Sequence, residues 1–272
     1  MLFRSRNWRI DASGASNAPV RLLYGEFHEP GQVLTVLASR DPWSGRETPW
    51  RSWSALSQAM PALTERVHSH REFAALEVEA LLGPAMSKAK SLVADTFDSM
   101  VFLNRGKSFE AIPLPQEAQR APAFGISVAD FDGDGREDLF LAQNFFGMDN
   151  ETSRQDAGTG LVLLGDGRGR FRGLSPAEAG FSLPGEQRGC AVADVDGDGR
   201  LDLLVGARAR AGRYPETSPT LLLPGTDGGW GPPRVITDNA RVSGAVFTDI
   251  DADGDPDLVL ASDWDKIGRA HV

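Results

Sequence analysis

"DFDGDGREDLFLA" (130–142) is written again, with small changes, as "DVDGDGRLDLLVG" (194–206) and "DIDADGDPDLVLA" (249–261). In every copy aspartate stands at positions one, three, five and nine. Carboxylates held that close repel one another, so the pattern costs stability unless positive charge sits among them. The likeness extends beyond the acids. Five residues before the first aspartate stands Gly125, Gly189 or Gly244, and two before it Val128, Val192 or Phe247. After the last aspartate come "LFL", "LLV" and "LVL", then a small residue, Ala142, Gly206 or Ala261. Self-similarity at a period of roughly 60 residues predicts a repeat architecture, each unit one supersecondary element.

Within a unit, "GISVAD" and "DLFLAQ" read as two short strands joined by the acidic loop. "GLVLLGDGRGRFRGL" (160–174) and "TLLLPGTDGGWGPPRVI" (220–236) each read as two further strands around a glycine-rich turn. Four strands per unit predict an all-β fold of β-propeller type. A worn copy lies upstream. "LYGEFHEPGQVLTVLA" (23–38) aligns with the repeat but places Glu26, His28, Pro30 and Leu34 at the aspartate positions, so no metal is expected there. Its outer hairpin is expected at "MVFLNRGKSFEAIPL" (100–114). Between these parts, Leu63 and Val67, then Phe73, Leu76 and Ala80, fall at helical spacing before Gly83-Pro84. Met86, Ala89, Val93 and Phe97 repeat the rhythm, which predicts a small helical insertion.

The expected organisation is about three and a half blades. Residues 1–42 and 99–116 form a degenerate first blade interrupted by a helical insertion at 43–98. Blades follow at 117–182 and 183–240, then a half blade at 241–266. Residues 267–272, "IGRAHV", resemble a translated sequencing-adapter stretch. They predict a truncated chain with a non-native tail, in which His271 has no role and further C-terminal blades are needed to close the ring.

The loops are the candidate site. Asp130, Asp132, Asp134 and Asp138 offer alternate carboxylates, Gly135 at position six permits φ > 0, and Arg136 at position seven offers a backbone carbonyl. The second loop supplies Asp194, Asp196, Asp198, Arg200 and Asp202 around Gly199, and the third Asp249, Asp251, Asp253, Asp255 and Asp257 around Gly254. Pro256 loses an N–H but no carbonyl. Hard oxygen donors in one tight loop suit Ca²⁺, one ion per loop, better than Mg²⁺, which demands a strict octahedron. Zinc is disfavoured because the loops hold neither histidine nor cysteine. An EF-hand requires Glu at position twelve, where Leu141, Val205 and Leu260 stand instead.

These residues resemble FG-GAP/VCBS repeats, the calcium-loop blades of integrin α-subunit propellers and of many bacterial secreted proteins. The likeness covers 120–262 well and 20–38 with 100–115 weakly. "SMVFLNRG", "EAQRAPAFGISVADFDGDGREDLFLAQNFF" and "GEQRGCAVADVDGDGRLDLLV" are similar to bacterial VCBS proteins that often carry an ASPIC/UnbV domain, which is not seen here. The resemblance implies a structural ion between the first two strands of each blade and an extracytoplasmic protein, although "MLFRSRNWRID" has no signal-peptide core.

No catalytic constellation stands out. His68 and His70 lie two apart on a predicted helix and point to different faces. "GDGRGR" (165–170) lies in a hairpin, without the strand-to-helix setting of a phosphate loop. Glu186-Gln187-Arg188 reads as a solvated loop or a blade-edge contact, "RARAGR" (208–213) as a solvated loop, and Cys190 as a small core residue. Trp43, Trp50 and Trp53 are expected to pack the insertion onto its blade. A net charge of −10 disfavours nucleic acid, and no apolar run approaches a membrane span. The expectation is a non-catalytic calcium-binding module for adhesion to a protein or glycan. The alternative is the propeller part of an exported enzyme such as a polysaccharide lyase.

Overall fold

The computed structural model describes residues 19–27, 31–41, 44–148, 155–213 and 216–263. The chain divides into two compact units, one of residues 8–97 and one of residues 98–272 together with 1–7. The described strands form antiparallel sheets with few, short helices, so the protein is all-β in its main part. Among the described residues no helix is long and apolar enough to cross a membrane.

In the first unit, β1 (Val20–Gly25) and β2 (Leu34–Arg40) form the hairpin expected of the worn repeat. Glu26 and Leu34 flank its turn, whereas His28 and Pro30 lie outside the described residues. β3 (Glu47–Pro49) pairs with β2, and after α1 (Trp53–Ala59), α2 (His70–Ala74) and α3 (Val78–Leu82), β4 (Lys90–Ala94) pairs with β1. The sheet order is β3-β2-β1-β4. Ser52 and Ser69 cap α1 and α2 by accepting the amides of Ala55 and Glu72. Gly83, at φ +54°, stops α3 as its sequence predicts. The helical rhythm continued over 86–97 is not realised. Residues 83–88 form a 3-10 turn and 90–94 a strand, because pairing with the open edge of β1 satisfies a row of backbone groups and overrides a weak periodicity. Leu23, Val36, Leu56, Leu63, Val78 and Leu81 form this unit's core. Trp53 packs against it and meets the His70 ring edge-on at 4.9 Å, Trp50 is exposed, and Trp43 lies outside the described residues.

The second unit opens with a two-stranded hairpin, β5 (Met100–Asn104) and β6 (Phe109–Pro113). β7 (Ala123–Ala129), β8 (Asp138–Gln143), β9 (Leu161–Gly165) and β10 (Phe171–Gly173) then form a four-stranded meander. After α4 (Pro176–Ala179), β11 (Glu186–Ala193), β12 (Asp202–Ala209) and β13 (Thr220–Leu223) begin a second sheet. A small hairpin, β14 (Gly225–Thr226) with β15 (Gly229–Trp230), leads to its fourth strand, β16 (Arg234–Thr237). β17 (Val242–Thr248) and β18 (Asp257–Ser262) form a pair of their own. The two complete sheets sandwich a core of Phe140, Val162, Phe181, Leu203, Val205 and Leu223.

The recurring glycine five residues before each loop is explained by contacts between sheets. β7, β11 and β17 pack side by side. A Cβ on Gly125 would stand 2.5 Å from the Arg188 carbonyl oxygen, and one on Gly189 would stand 2.9 Å from the Gly244 Cα. Only glycine permits so close an approach. At the far end of this seam lies a buried polar cluster. Glu186 is 0% exposed, pairs with Arg188 and Arg208, and accepts the Phe146 amide. Arg188 also lies over the Phe124 ring at 3.4 Å. The trio 186–188 is therefore a contact between sheets and not a solvated loop. "RARAGR" likewise begins inside β12, with Arg208 bound to Glu186 and Asp263 and with Arg210 and Arg213 bound to Glu216.

Candidate cation sites in the acidic loops

Each acidic loop joins the first two strands of its sheet, β7 to β8, β11 to β12 and β17 to β18. The fold of the loop follows from its aspartates accepting its own amides. Asp130 Oδ1 accepts from Gly133 and Asp134 at 2.8 and 3.0 Å, and its Oδ2 accepts from Gly135 at 2.7 Å. Asp194 accepts from Asp198 and Gly199, and Asp249 from Gly254. Two positions per loop are left-handed. Gly133 and Gly135 have φ +76° and +82°, and Gly197 and Gly199 +74° and +84°. In the third loop Gly254 is matched by Ala252 at φ +63°, a conformation that strains any residue with a Cβ.

Position nine does something the sequence did not disclose. Asp138 is fully buried, with Oδ2 accepting the Phe131 amide at 2.9 Å and Oδ1 the Gly165 amide at 2.7 Å. Asp202 repeats this with Val195 at 2.9 Å and Gly225 at 2.7 Å. The carboxylate thus ties the loop to the far end of β9 in the first sheet and, in the second, to the start of β14 just beyond β13. The sequence signal for it is the glycine that follows "LVLL" and "LLLP", since a Cβ at Gly165 or Gly225 would run into the carbonyl of Glu137 or Leu201. Asp257 makes only the first of these bonds, with the Ile250 amide at 2.9 Å.

The loops bring carboxylates together. Oxygens of Asp130, Asp132 and Asp138 lie within 4.8 Å of one another, as do those of Asp194, Asp196 and Asp198, and those of Asp249, Asp251 and Asp257. Asp134, Asp202 and Asp253 lie outside these triplets. Burial first, then the neighbouring Asp138, Asp134 and Asp130 carboxylates, raise the Asp132 acid above its ordinary value, although the Asp134 amide pulls it down. Arginine supplies part of the missing positive charge. The Arg136 guanidinium pairs with Asp134, and that of Arg200 with Asp198 and, at 2.9 Å, with Asp227. Partial burial works against the charge of Arg200, but Asp198 and Asp227 outweigh it and raise its pKa. The expectation that position seven offers only a carbonyl therefore needs amending for these two loops. The third loop has Asp255 there and no such cation of its own.

The donor set fits a hard cation. Every converging atom is a carboxylate oxygen, the hard donor type that Ca²⁺ takes in its shell of six to eight oxygens.

Residues 151–205 match the family model of the FG-GAP-like repeat. The matched stretch runs from the approach to β9 through the Asp194 loop into β12, and so takes the outer half of one sheet with the inner half of the next. No curated protein matches the chain. Among solved structures, the crystal structure of the V. cholerae biofilm matrix protein Bap1 is similar over 89% of this chain, at 13% identity and a TM-score of 0.28. This chain spans 43% of that one.

Proposed function

We propose that the second unit is a calcium-stabilised array of propeller-type blades, a non-catalytic interaction module of an extracytoplasmic protein that engages a protein or glycan. The observation that carries the reading is a carboxylate triplet in the loop between first and second strands, three times over, drawn from positions one, three and nine in the first and third loops and from one, three and five in the second. Asp130, Asp132 and Asp138 hold one ion, with Asp134 and the Arg136 carbonyl completing the shell. Asp194, Asp196, Asp198, Asp202 and the Arg200 carbonyl serve the second loop. Asp249, Asp251, Asp253, Asp257 and the Asp255 carbonyl serve the third. The bound ion neutralises the converging charge and holds each loop closed. At a Kd of about 10⁻⁴ M, a calcium concentration of about 2 mM adds roughly 1.8 kcal/mol per site.

Isothermal titration of the full chain with CaCl₂ in chelator-treated buffer tests this. Three sites are expected, reduced to two by Asp251→Ala. Absence of any calcium-dependent heat, with the chain folded by circular dichroism, would contradict it.

A further inference from the structure

In the first two loops the carboxylate at position five is engaged twice by the residue at position seven. Asp134 accepts the Arg136 amide on Oδ1 at 2.9 Å and the Arg136 guanidinium on Oδ2. Asp198 does the same with Arg200, its Oδ1 taking the amide at 2.9 Å and its Oδ2 the guanidinium. The amide bond belongs to the fold of the loop, since Asp253 keeps it with the Asp255 amide at 2.9 Å. The guanidinium bond is an addition that needs a cationic side chain at position seven.

Both arginines are braced from outside the loop. A Cβ on Gly167 would stand 3.2 Å from the Arg136 Cδ, and one on Gly225 would stand 2.9 Å from the Arg200 Cβ. Each stem therefore lies against the chain beyond the third strand, and each guanidinium has a second partner there. Arg136 Nε donates to the Gly165 carbonyl at 3.2 Å, and Arg200 donates through Nη1 to Asp227 at 2.9 Å. Losing the loop aspartate would leave neither guanidinium without an acceptor.

The position-five oxygens are thus open to competition between two cations. Asp130, Asp132 and Asp138 converge without Asp134, whereas Asp198 converges with Asp194 and Asp196 while still paired with Arg200. An ion that recruits Oδ2 of Asp134 or Asp198 must take it from a guanidinium. We propose that Arg136 and Arg200 are exchangeable counterions: each holds the position-five carboxylate before an ion binds, and the ion displaces it onto Gly165 or Asp227. The inference rests on the calcium reading above and adds that these arginines set the affinity. Before an ion binds, the same pairs offset part of the repulsion among the aspartates, so the arginines exchange calcium affinity for stability of the metal-free loop. The effect is modest, because the Arg136 and Asp134 side chains are 50% and 25% exposed and exposed ion pairs are weak. In the third loop Asp255 stands at position seven, so no guanidinium of that residue has to leave.

The test uses the full chain carrying Asp196→Ala and Asp251→Ala, so that calcium heat reports the first loop. Adding Arg136→Gln is expected to tighten CaCl₂ binding by up to about fivefold in isothermal titration while lowering the melting temperature in EDTA. An arginine with only a structural role would lower the melting temperature without tightening calcium. Arg170→Gln controls for the loss of one positive charge, since Arg170 is exposed and lines the open groove beside Asp132 and Asp134 without pairing with Asp134. It should change calcium affinity far less. Arg200→Gln, in a chain carrying Asp132→Ala and Asp251→Ala, gives the same two readouts for the second loop. Calcium affinity unchanged or weakened by both arginine substitutions, or tightened equally by Arg170→Gln, would overturn the inference and leave the calcium reading standing. No calcium heat in either background with its arginine intact, the chain being folded by circular dichroism, would overturn both.

Discussion

At Asp138 both carboxylate oxygens are taken by amides, one in the loop and one on the next strand, and the group is sealed from water. Removing it strands two buried donors, so Asp138→Ala is expected to cost about 2–4 kcal/mol even in EDTA. Asp132→Ala should cost far less in EDTA, since its carboxylate is exposed and crowded by like charge. Urea unfolding in chelator distinguishes the two, and equal costs would contradict the assignment. Ala252 is strained at φ +63°, so Ala252→Gly should stabilise by up to about 1 kcal/mol. Two exposed acids contribute to the acid limb of stability. The Ser175 amide and hydroxyl, then Arg172, lower the Glu178 pKa, and the Arg168 and Arg170 amides lower that of Asp166. A lowered folded pKa means that the contribution is complete above the ordinary values, 4.5 and 3.8, and is lost as pH falls through the folded ones. Glu178→Gln with Asp166→Asn should flatten the fall of the urea midpoint below about pH 4.5. An unchanged limb would refute this.

At the scale of elements, the aspartate spacing made the two-strand grammar readable. Period-two alternation in "GISVAD" and the closing apolar triplets fixed β7, β8, β11, β12, β17 and β18. What stayed hidden depended on partners distant in the chain. β4 is a strand because β1 offers an edge, and no local pattern in "KSLVA" announces it. The arginines at position seven read as backbone-carbonyl donors, and only the folded loop turns their guanidinium groups onto Asp134 and Asp198. The glycines of the seam were visible as a repeat, but their reason is another sheet's backbone. Gly125→Ala should therefore destabilise by about 1–3 kcal/mol. Gly244→Ala should be nearly neutral, because its Cβ would meet only the Ala261 Cβ at 3.6 Å. Similar losses for both in denaturant unfolding would contradict the seam.

At the scale of the whole molecule, all three acidic loops belong to the unit of residues 98–272, and the helical segments cluster in the other. Two thermal transitions are expected, only one of them sensitive to divalent cations, and calorimetry resolves them. The most direct test is thermal melting of the full chain in EDTA, in Mg²⁺ and across a Ca²⁺ titration, beside the chain carrying Asp132→Ala, Asp196→Ala and Asp251→Ala together. The account predicts a rise in one transition that calcium produces, magnesium largely fails to produce, and the triple substitution removes. A cooperative melt indifferent to calcium would contradict it, leaving the loops as aspartate-capped turns held by their own amides and arginines.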